Sequence, residues 1–367
     1  MTNSSSSATG TIRRTSPRDP GSVGPTSTYS SLMRTVRDSG LLRRRRGFYY
    51  AVFAGLALAL GGLITGFVLL GDSWYQLLIA AGLGLVLTQI AFVTHEASHR
   101  QIFTSGVAND RLGRILAAGV VGISYHWWMH KHSRHHAKPN QKGADPDIAP
   151  DTITFMPEDA AKSTGAMALI TRKQGYLFFP LLTLEGINLH LRSIITLFDR
   201  GRVEGRFLEL GLITARLSLY IAVVFWALPL GMAFAFLGVQ LAVFGVYMGA
   251  SFAPNHKGMP ILPADTDLDF LTRQVMTSRN LRGGWWSTAM FGGLNYQIEH
   301  HLFPNMPRPA LRHAAQIVRE HSRTLGIPYT EAGIFESYRI VIRYLNEVGL
   351  AARDPFDCPM VNRFRRT

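Results

Sequence analysis

A single cysteine, Cys358, stands among 367 residues. It excludes an internal disulfide and any thiolate-based metal site within the chain. Charge is scarce as well, at 17% of residues against about 25% in soluble domains. Acid is scarcer than base, with 24 Asp and Glu against 38 Lys and Arg, a net charge of +14. So basic a balance suits nucleic acid or an anionic membrane surface. Half of it, +7, comes from nine arginines and two aspartates in residues 1–46, directly before an apolar run. No nucleic-acid reader motif accompanies them, so the membrane is the expected partner and nucleic acid is not. No internal repeat with a fixed period is present.

The missing charges leave long gaps. Gly47–Leu70 carries none between Arg46 and Asp72, and Ser73–Thr94 carries none either. Each is long enough for a bilayer, which needs ~20 apolar residues. The turn at Gly71–Ser73 holds no Lys or Arg, whereas Arg43–Arg46 precede the first span. The positive-inside rule then puts the arginines in the cytosol and the turn outside. A second uncharged stretch, Leu217–His256, is interrupted by Pro229 and Gly231. It predicts two more spans, over 210–228 and 232–252, with Glu209 and Arg216 near the cytosolic end of the first. Arginine there can snorkel to the headgroups.

The predicted fold is therefore an all-α integral membrane protein with four spans in two hairpins and a helical cytosolic cap. Both termini and the site are expected on the cytosolic side, in a bacterial plasma membrane. Leu112–Ser124 and Tyr176–Phe198 are apolar but too short or too charged to span, and read as interfacial or buried helices. A cap helix with the stripe Leu311, Ala314, Ala315, Val318 and a last helix near Ile334–Leu345 follow. Residues 1–46 read as a disordered basic tail whose Ser- and Arg-rich start loosely resembles a transit peptide. The main domain spans 47–350, and 351–367 form a C-terminal tail.

Thirteen histidines are present, and seven fall in three tight groups. The first is His95 and His99, just after the second span. The second is His132, His135 and His136. The third is His300 and His301, preceded by Gln297. Spacings of i, i+3 and i+4 share one helix face. Seven imidazoles exceed the four ligands of one zinc site, so two metals are expected to share them. His256 follows the fourth span as His95 follows the second, and is an eighth candidate. Gln297 is a possible ninth ligand, or a hydrogen-bond partner of bound water. Asn255, Asp145, Asp147 and His130 are candidates for orienting the ligands, although Asp145 and Asp147 equally suit turn capping. Trp285 and Trp286 are candidates for an interfacial anchor or a substrate entrance. His126 reads as a neighbour of the second group, and His190, His313 and His321 as ordinary core or surface histidines.

These groups, written HxxxH, HxxHH and QxxHH, resemble the histidine boxes of the membrane fatty acid desaturases. The flanking residues extend the likeness over most of residues 30–350: Trp127-Trp128 before the second box, Pro139-Asn140 and Asp145-Pro146-Asp147 after it, Asn295-Tyr296 before the third and Leu302-Phe303-Pro304 after it. Glutamine opening the last box resembles the front-end subgroup, which places a double bond between an existing one and the carboxyl end. The resemblance implies a di-iron centre using O2 to make a cis double bond in an acyl-lipid or acyl-CoA. Many front-end members carry a fused cytochrome b5 domain marked by HPGG, which is absent here. A separate donor, a ferredoxin or flavin reductase, is therefore implied.

Three other readings fit parts of the same pattern. His95-Glu96-Ala97-Ser98-His99 is literally HExxH, the zinc metalloprotease signature, with Glu96 as general base. That reading leaves the other two boxes without a role. A lipid or carotenoid hydroxylase or ketolase would use the same residues. A metal transporter needs polar groups within its spans, and these spans have almost none.

Overall fold

The computed structural model describes residues 25–352. Its first helix, α1 (Pro25–Asp38), falls inside the segment expected to be a disordered tail. Leu32 and Val36, one turn apart, and Leu41 in the turn that follows are buried against Phe303, Leu311 and Val318 of the cap. The surrounding Ser and Arg dilute this stripe in an average of composition, and the partner surface lies some 270 residues away. The rest of that tail, 1–24, and Cys358 lie outside the described residues.

The first hairpin is α2 (Arg46–Leu70) and α3 (Gln76–Ser98). Between the hairpins come α4 (Gly106–Arg114), running on as a π-helical turn over Ile115–Val121, and α5 (Tyr125–Ala137). Then follow α6 (Pro157–Ala160), α7 (Gly165–Arg172), α8 (Gln174–Leu182) and α9 (Glu185–Leu197). The second hairpin is α10 (Arg206–Ala227) and α11 (Leu230–His256). The cap closes with α12 (Phe270–Met276), β1 (Asn280–Arg282), α13 (Trp285–Met290), α14 (Gln297–Leu302), α15 (Arg308–Thr324), β2 (Glu331–Gly333) and α16 (Ile334–Gly349). The two strands pair in parallel, Leu281 opposite Ala332, and are the named strands among the described residues of an otherwise helical fold.

Helices α2, α3, α10 and α11 are long and apolar enough to cross a membrane. Their bounds match the four expected spans to within a few residues, except that α3 and α11 run on to carry His95 and His256 inside the helices. The most extensive pairing crosses between the hairpins, α3 against α11. A Cβ on Gly84 of α3 would lie 2.9 Å from the Gln240 carbonyl oxygen of α11, so the two backbones touch there. A Cβ on Gly245 of α11 would lie 2.4 Å from the Gly186 nitrogen of α9.

The apolar stretch 176–198 breaks at Thr183–Leu184 into α8 and α9. Gly186, Leu189, Ser193 and Leu197 of α9 are buried, while Leu184, Ile187, Leu191 and Ile195 stay exposed. This two-faced pattern is that of a helix lying in a membrane surface. In the stretch 112–124, Ala117, Ala118 and Val121 are buried in the π-helical turn.

Candidate metal centre

Three helices bring the boxes together. His95 lies in the last turn of α3 and His99 caps it. His132, His135 and His136 lie on α5, and His300 and His301 on α14. The start of α5 is held from the side by a buried carboxylate. Glu209 of α10 accepts from Ser124 Oγ at 2.6 Å and from the His126 backbone N–H at 3.2 Å. Ser124 Oγ in turn accepts the Trp127 N–H at 3.1 Å, and Arg114 Nε completes the ion pair with Glu209 at 3.0 Å. Negative charge at the unpaired N–H groups of a helix start is favourable.

The ligand atoms divide into two groups. His95, His99, His132, His136 and His300 form one, and His135, His256 and His301 the other, the atoms of each lying within 4.8 Å of one another. Neighbours on one helix thus serve different groups. In the larger group His132 Nε2 is 3.0 Å from His95 Nε2 and 2.8 Å from His99 Nε2, and His136 Nε2 is 3.1 Å from His300 Nε2. In the smaller, His135 Nε2 and His256 Nε2 are 3.3 Å apart, and His301 Nε2 has no hydrogen-bond partner. The His136 and His301 rings stack across the two groups at 4.2 Å. Metal–nitrogen bonds of about 2.1 Å set at right angles put adjacent nitrogens about 3 Å apart, so these edges fit metal ions at both positions. Gln297 reaches the smaller group, its amide nitrogen 2.9 Å from His256 Nε2 and its oxygen accepting from Asn255 Nδ2 at 3.1 Å. Rotating that amide would turn its oxygen toward His256.

Outside this shell each histidine of the smaller group has its second nitrogen held. Asp145 accepts from His135 Nδ1 at 3.0 Å and is fixed by the Asn140 N–H at 2.7 Å and the Asp147 N–H at 2.9 Å. Asp145 is thus both a turn cap and an orienting group. Asp147 lies 3.5 Å from the same nitrogen and pairs with Lys131 Nζ at 2.9 Å. His256 Nδ1 donates to the Thr277 carbonyl at 2.9 Å, and His301 Nδ1 to Gln274 Oε1 at 2.8 Å. Such contacts fix ring orientation and tautomer.

The structure corrects one site expectation. His130 is exposed and lines a separate cleft beside Trp127, because at two residues before His132 it faces another side of α5. Trp285 and Trp286 are exposed at the start of α13, as an interfacial anchor would be. His190 is spent on the Gly186 and Val121 carbonyls, and His321 on that of Thr28.

Several positioning residues escaped the sequence reading. Gln274 ties α12 to both His301 and the His136 carbonyl, at 2.9 Å for the latter. Asn280 donates to Glu299 at 2.8 Å and accepts the Ile298 N–H at 2.9 Å, so it holds α14 from behind. The fully buried Arg279 caps the end of α11, donating to the carbonyls of Pro254 (2.9 Å) and Lys257 (3.0 Å). None of these has a spacing signal, since each acts through folded loops. Glu96 was singled out, but as a base. It instead makes a two-bond ion pair with Arg308 at 2.7 and 2.6 Å and accepts from Tyr49 at 3.3 Å.

Burial pushes the imidazoles of His132, His136, His300 and His301 well below the usual histidine range, their neighbouring rings adding to it. Burial takes His99 down to about 3. His135 runs the other way: burial opposes its charge, but Asp145 and Asp147 outweigh that and raise it. Neutral imidazole is the metal-binding form. In the unfolded chain the histidines return to about 6.5. As pH drops below that, the unfolded chain takes up protons that the fold refuses, so the metal-free fold loses stability. The unfolding midpoint of the metal-free protein should fall between about pH 7 and pH 5, with the single opposing group, His135, too few to cancel it. A midpoint flat across that range in detergent would contradict these shifts.

An apolar cleft of about 760 Å³ opens between α3 and α11, lined by Leu85, Val86, Val243, Val246 and Ala250. At its edge Gln89 donates to Tyr247 Oη, which donates to the Met290 carbonyl, each at 2.6 Å. The fold thus holds both a cluster of largely buried imidazoles and an apolar space between two of the spans.

Comparison with known proteins agrees with this arrangement. The family model described as fatty acid desaturase matches residues 72–333. A Delta(8)-fatty-acid desaturase of Helianthus annuus is 26% identical over 89% of this chain and 74% of its own length. A Delta(6)-fatty-acid desaturase of Caenorhabditis elegans is 27% identical over 87% of this chain and 74% of its own. An acyl-lipid (9-3)-desaturase of Physcomitrium patens is 28% identical over 75% and 54%.

Proposed function

The chain belongs to the fatty acid desaturase family, and from that membership we propose that it introduces a cis double bond into the acyl chain of an acyl-lipid or acyl-CoA. The observation that carries this reading is the pair of facing imidazole groups, five and three, in a fold that also opens an apolar cleft between α3 and α11. We assign the double bond to the carboxyl side of an existing one, in keeping with Gln297 and with the Delta(6) and Delta(8) names of the relatives. The site and both described ends are taken to face the cytosol, at a plasma membrane.

Two iron ions, when bound, supply the oxidising power for removing two hydrogens from adjacent methylenes as O2 is reduced to water with electrons from a ferredoxin or flavin reductase. The chain supplies the rest. His95, His99, His132, His136 and His300 would hold one ion, and His135, His256 and His301, with Gln297, the other. Asp145 stabilises the orientation of His135, and the Thr277 carbonyl that of His256. Leu85, Val86 and Val246 give the acyl chain an apolar bed and keep water from it.

Expression in a desaturase-deficient host, with total fatty acids analysed by mass spectrometry and double bonds localised, tests the reading. A new unsaturated species is expected. A hydroxylated lipid in its place, from iron-loaded protein with a working donor, would overturn it.

Arg279 should matter through His256. With Arg279→Met the last carbonyls of α11 lose their cap, and affinity at the three-histidine group should fall ~10–100-fold, as for other outer partners. Arg279→Lys, which keeps the charge near the helix end, should recover part of it. Metal content after dialysis against graded chelator checks this, and unchanged retention in Arg279→Met would refute it.

A further inference from the structure

A second cleft, of about 590 Å³, lies on the other side of α5 and is walled by α5, the 146–155 loop and the α8–α9 corner. Its floor touches the metal centre through Asp147, which lines the cleft and lies 3.5 Å from His135. Its rim at Leu181 and Leu184 continues into the exposed apolar face of α9. A ligand seated here therefore has its polar part against α5 and its apolar part in the membrane surface.

The charges lining the cleft discriminate between carriers. Lys131, Arg134 and Arg192 face Asp147, Asp151, Glu185 and Asp199, three cations against four carboxylates. Lys257, whose Nζ donates to the Asp147 carbonyl at 2.7 Å from behind the wall, brings the balance to zero. Two of the cations are already engaged, Lys131 with Asp147 at 2.9 Å and Arg192 with Asp151 at 2.8 Å. Coenzyme A, with its diphosphate and further phosphate, would meet one arginine without a carboxylate partner and no net attraction from the rest. A zwitterion fits better. Arg134 can take one phosphate, while Glu185 and Asp199 face a cation. Trp127, in the same wall, already has the Lys131 ammonium 5.9 Å from its ring centre, and such a ring also suits a quaternary ammonium.

We infer that this cleft seats the zwitterionic headgroup of a membrane phospholipid, so that the acyl chain is presented on phosphatidylcholine-like lipid and not on coenzyme A. The inference rests on the desaturase reading for its meaning, though not for its test.

The test uses the full chain in detergent and a phosphatidylcholine carrying a photoreactive group on its choline. Labelling is expected on residues 127–134 or 181–199. Unlabelled dioleoyl phosphatidylcholine should suppress it at a concentration about tenfold below that of oleoyl-coenzyme A. Glu185→Lys combined with Asp199→Lys makes the cleft net positive and should reverse that order. Labelling elsewhere, or oleoyl-coenzyme A competing equally well in the unaltered chain, would overturn the inference. In an expressing host fed labelled oleate, new double bonds should appear first in phospholipid, and their appearance first in acyl-coenzyme A would also overturn it. If no pool gains a double bond, the desaturase reading fails, and the labelling result still decides the occupant of the cleft.

Discussion

Replacing His132 with alanine is expected to empty the five-histidine group, and replacing His135, three residues along the same helix, to empty the three-histidine group. His132 Nε2 touches both His95 and His99, so its loss removes the centre of its set. His135 faces His256 and is held by Asp145. Desaturation should fall in each variant by more than the ~10–100-fold that outer partners cost. Metal analysis distinguishes the two. Each single variant should keep one ion of the pair, and the double variant neither. Equal and complete metal loss from both single variants would mean that the imidazoles form one shared cluster. Gln297→Ala should weaken only the group that His135 serves, which an iron titration in the His132→Ala background would read separately.

Glu96→Ala should be among the most destabilising single substitutions in the chain. Glu96 and Arg308 are both buried and joined by two hydrogen bonds, at 2.7 and 2.6 Å. Removing one partner of a buried pair costs about 3–5 kcal/mol, because the other charge is left without compensation. The same network ties α2 to the cap. Tyr49 donates to Gln101 at 3.1 Å, and Gln101 donates to the Pro304 carbonyl at 2.8 Å. The double variant Glu96→Ala, Arg308→Leu should be less destabilised than the sum of its parts, since no lone charge remains. Unfolding of the detergent-solubilised variants measures this. Additive losses would show that the two side chains do not act as a pair. The same result bears on the HExxH motif: the protease reading needs Glu96 free at the metal, and here both its oxygens are engaged by Arg308.

Some of this was legible beforehand because it depends on local spacing. An i, i+3, i+4 pattern of histidines can be read along one helix without knowing what that helix packs on. The division of His132 and His136 from His135, and of His300 from His301, cannot. It depends on how α3, α5, α11 and α14 cross. Asp145 was a candidate because it lies a short loop away from His135, whereas Gln274, Arg279 and Asn280 reach the site only through the closed cap. His130 misled because nearness in sequence is not nearness on a helix face. Helix α1 was hidden because its apolar stripe is short and its partner surface lies at the other end of the chain.

The sequence by itself determined the four spans and the three boxes, and with them the expectation of more than one metal. Uncharged runs of sufficient length must leave water, and buried imidazoles at helical spacing must converge on something that binds nitrogen. The tertiary structure alone decided the allotment of ligands, the engagement of Glu96 by Arg308 and the near-neutral cleft beside α5. Each of these is a relation between side chains that are distant in sequence, and distance in space is set by packing, which no local period encodes.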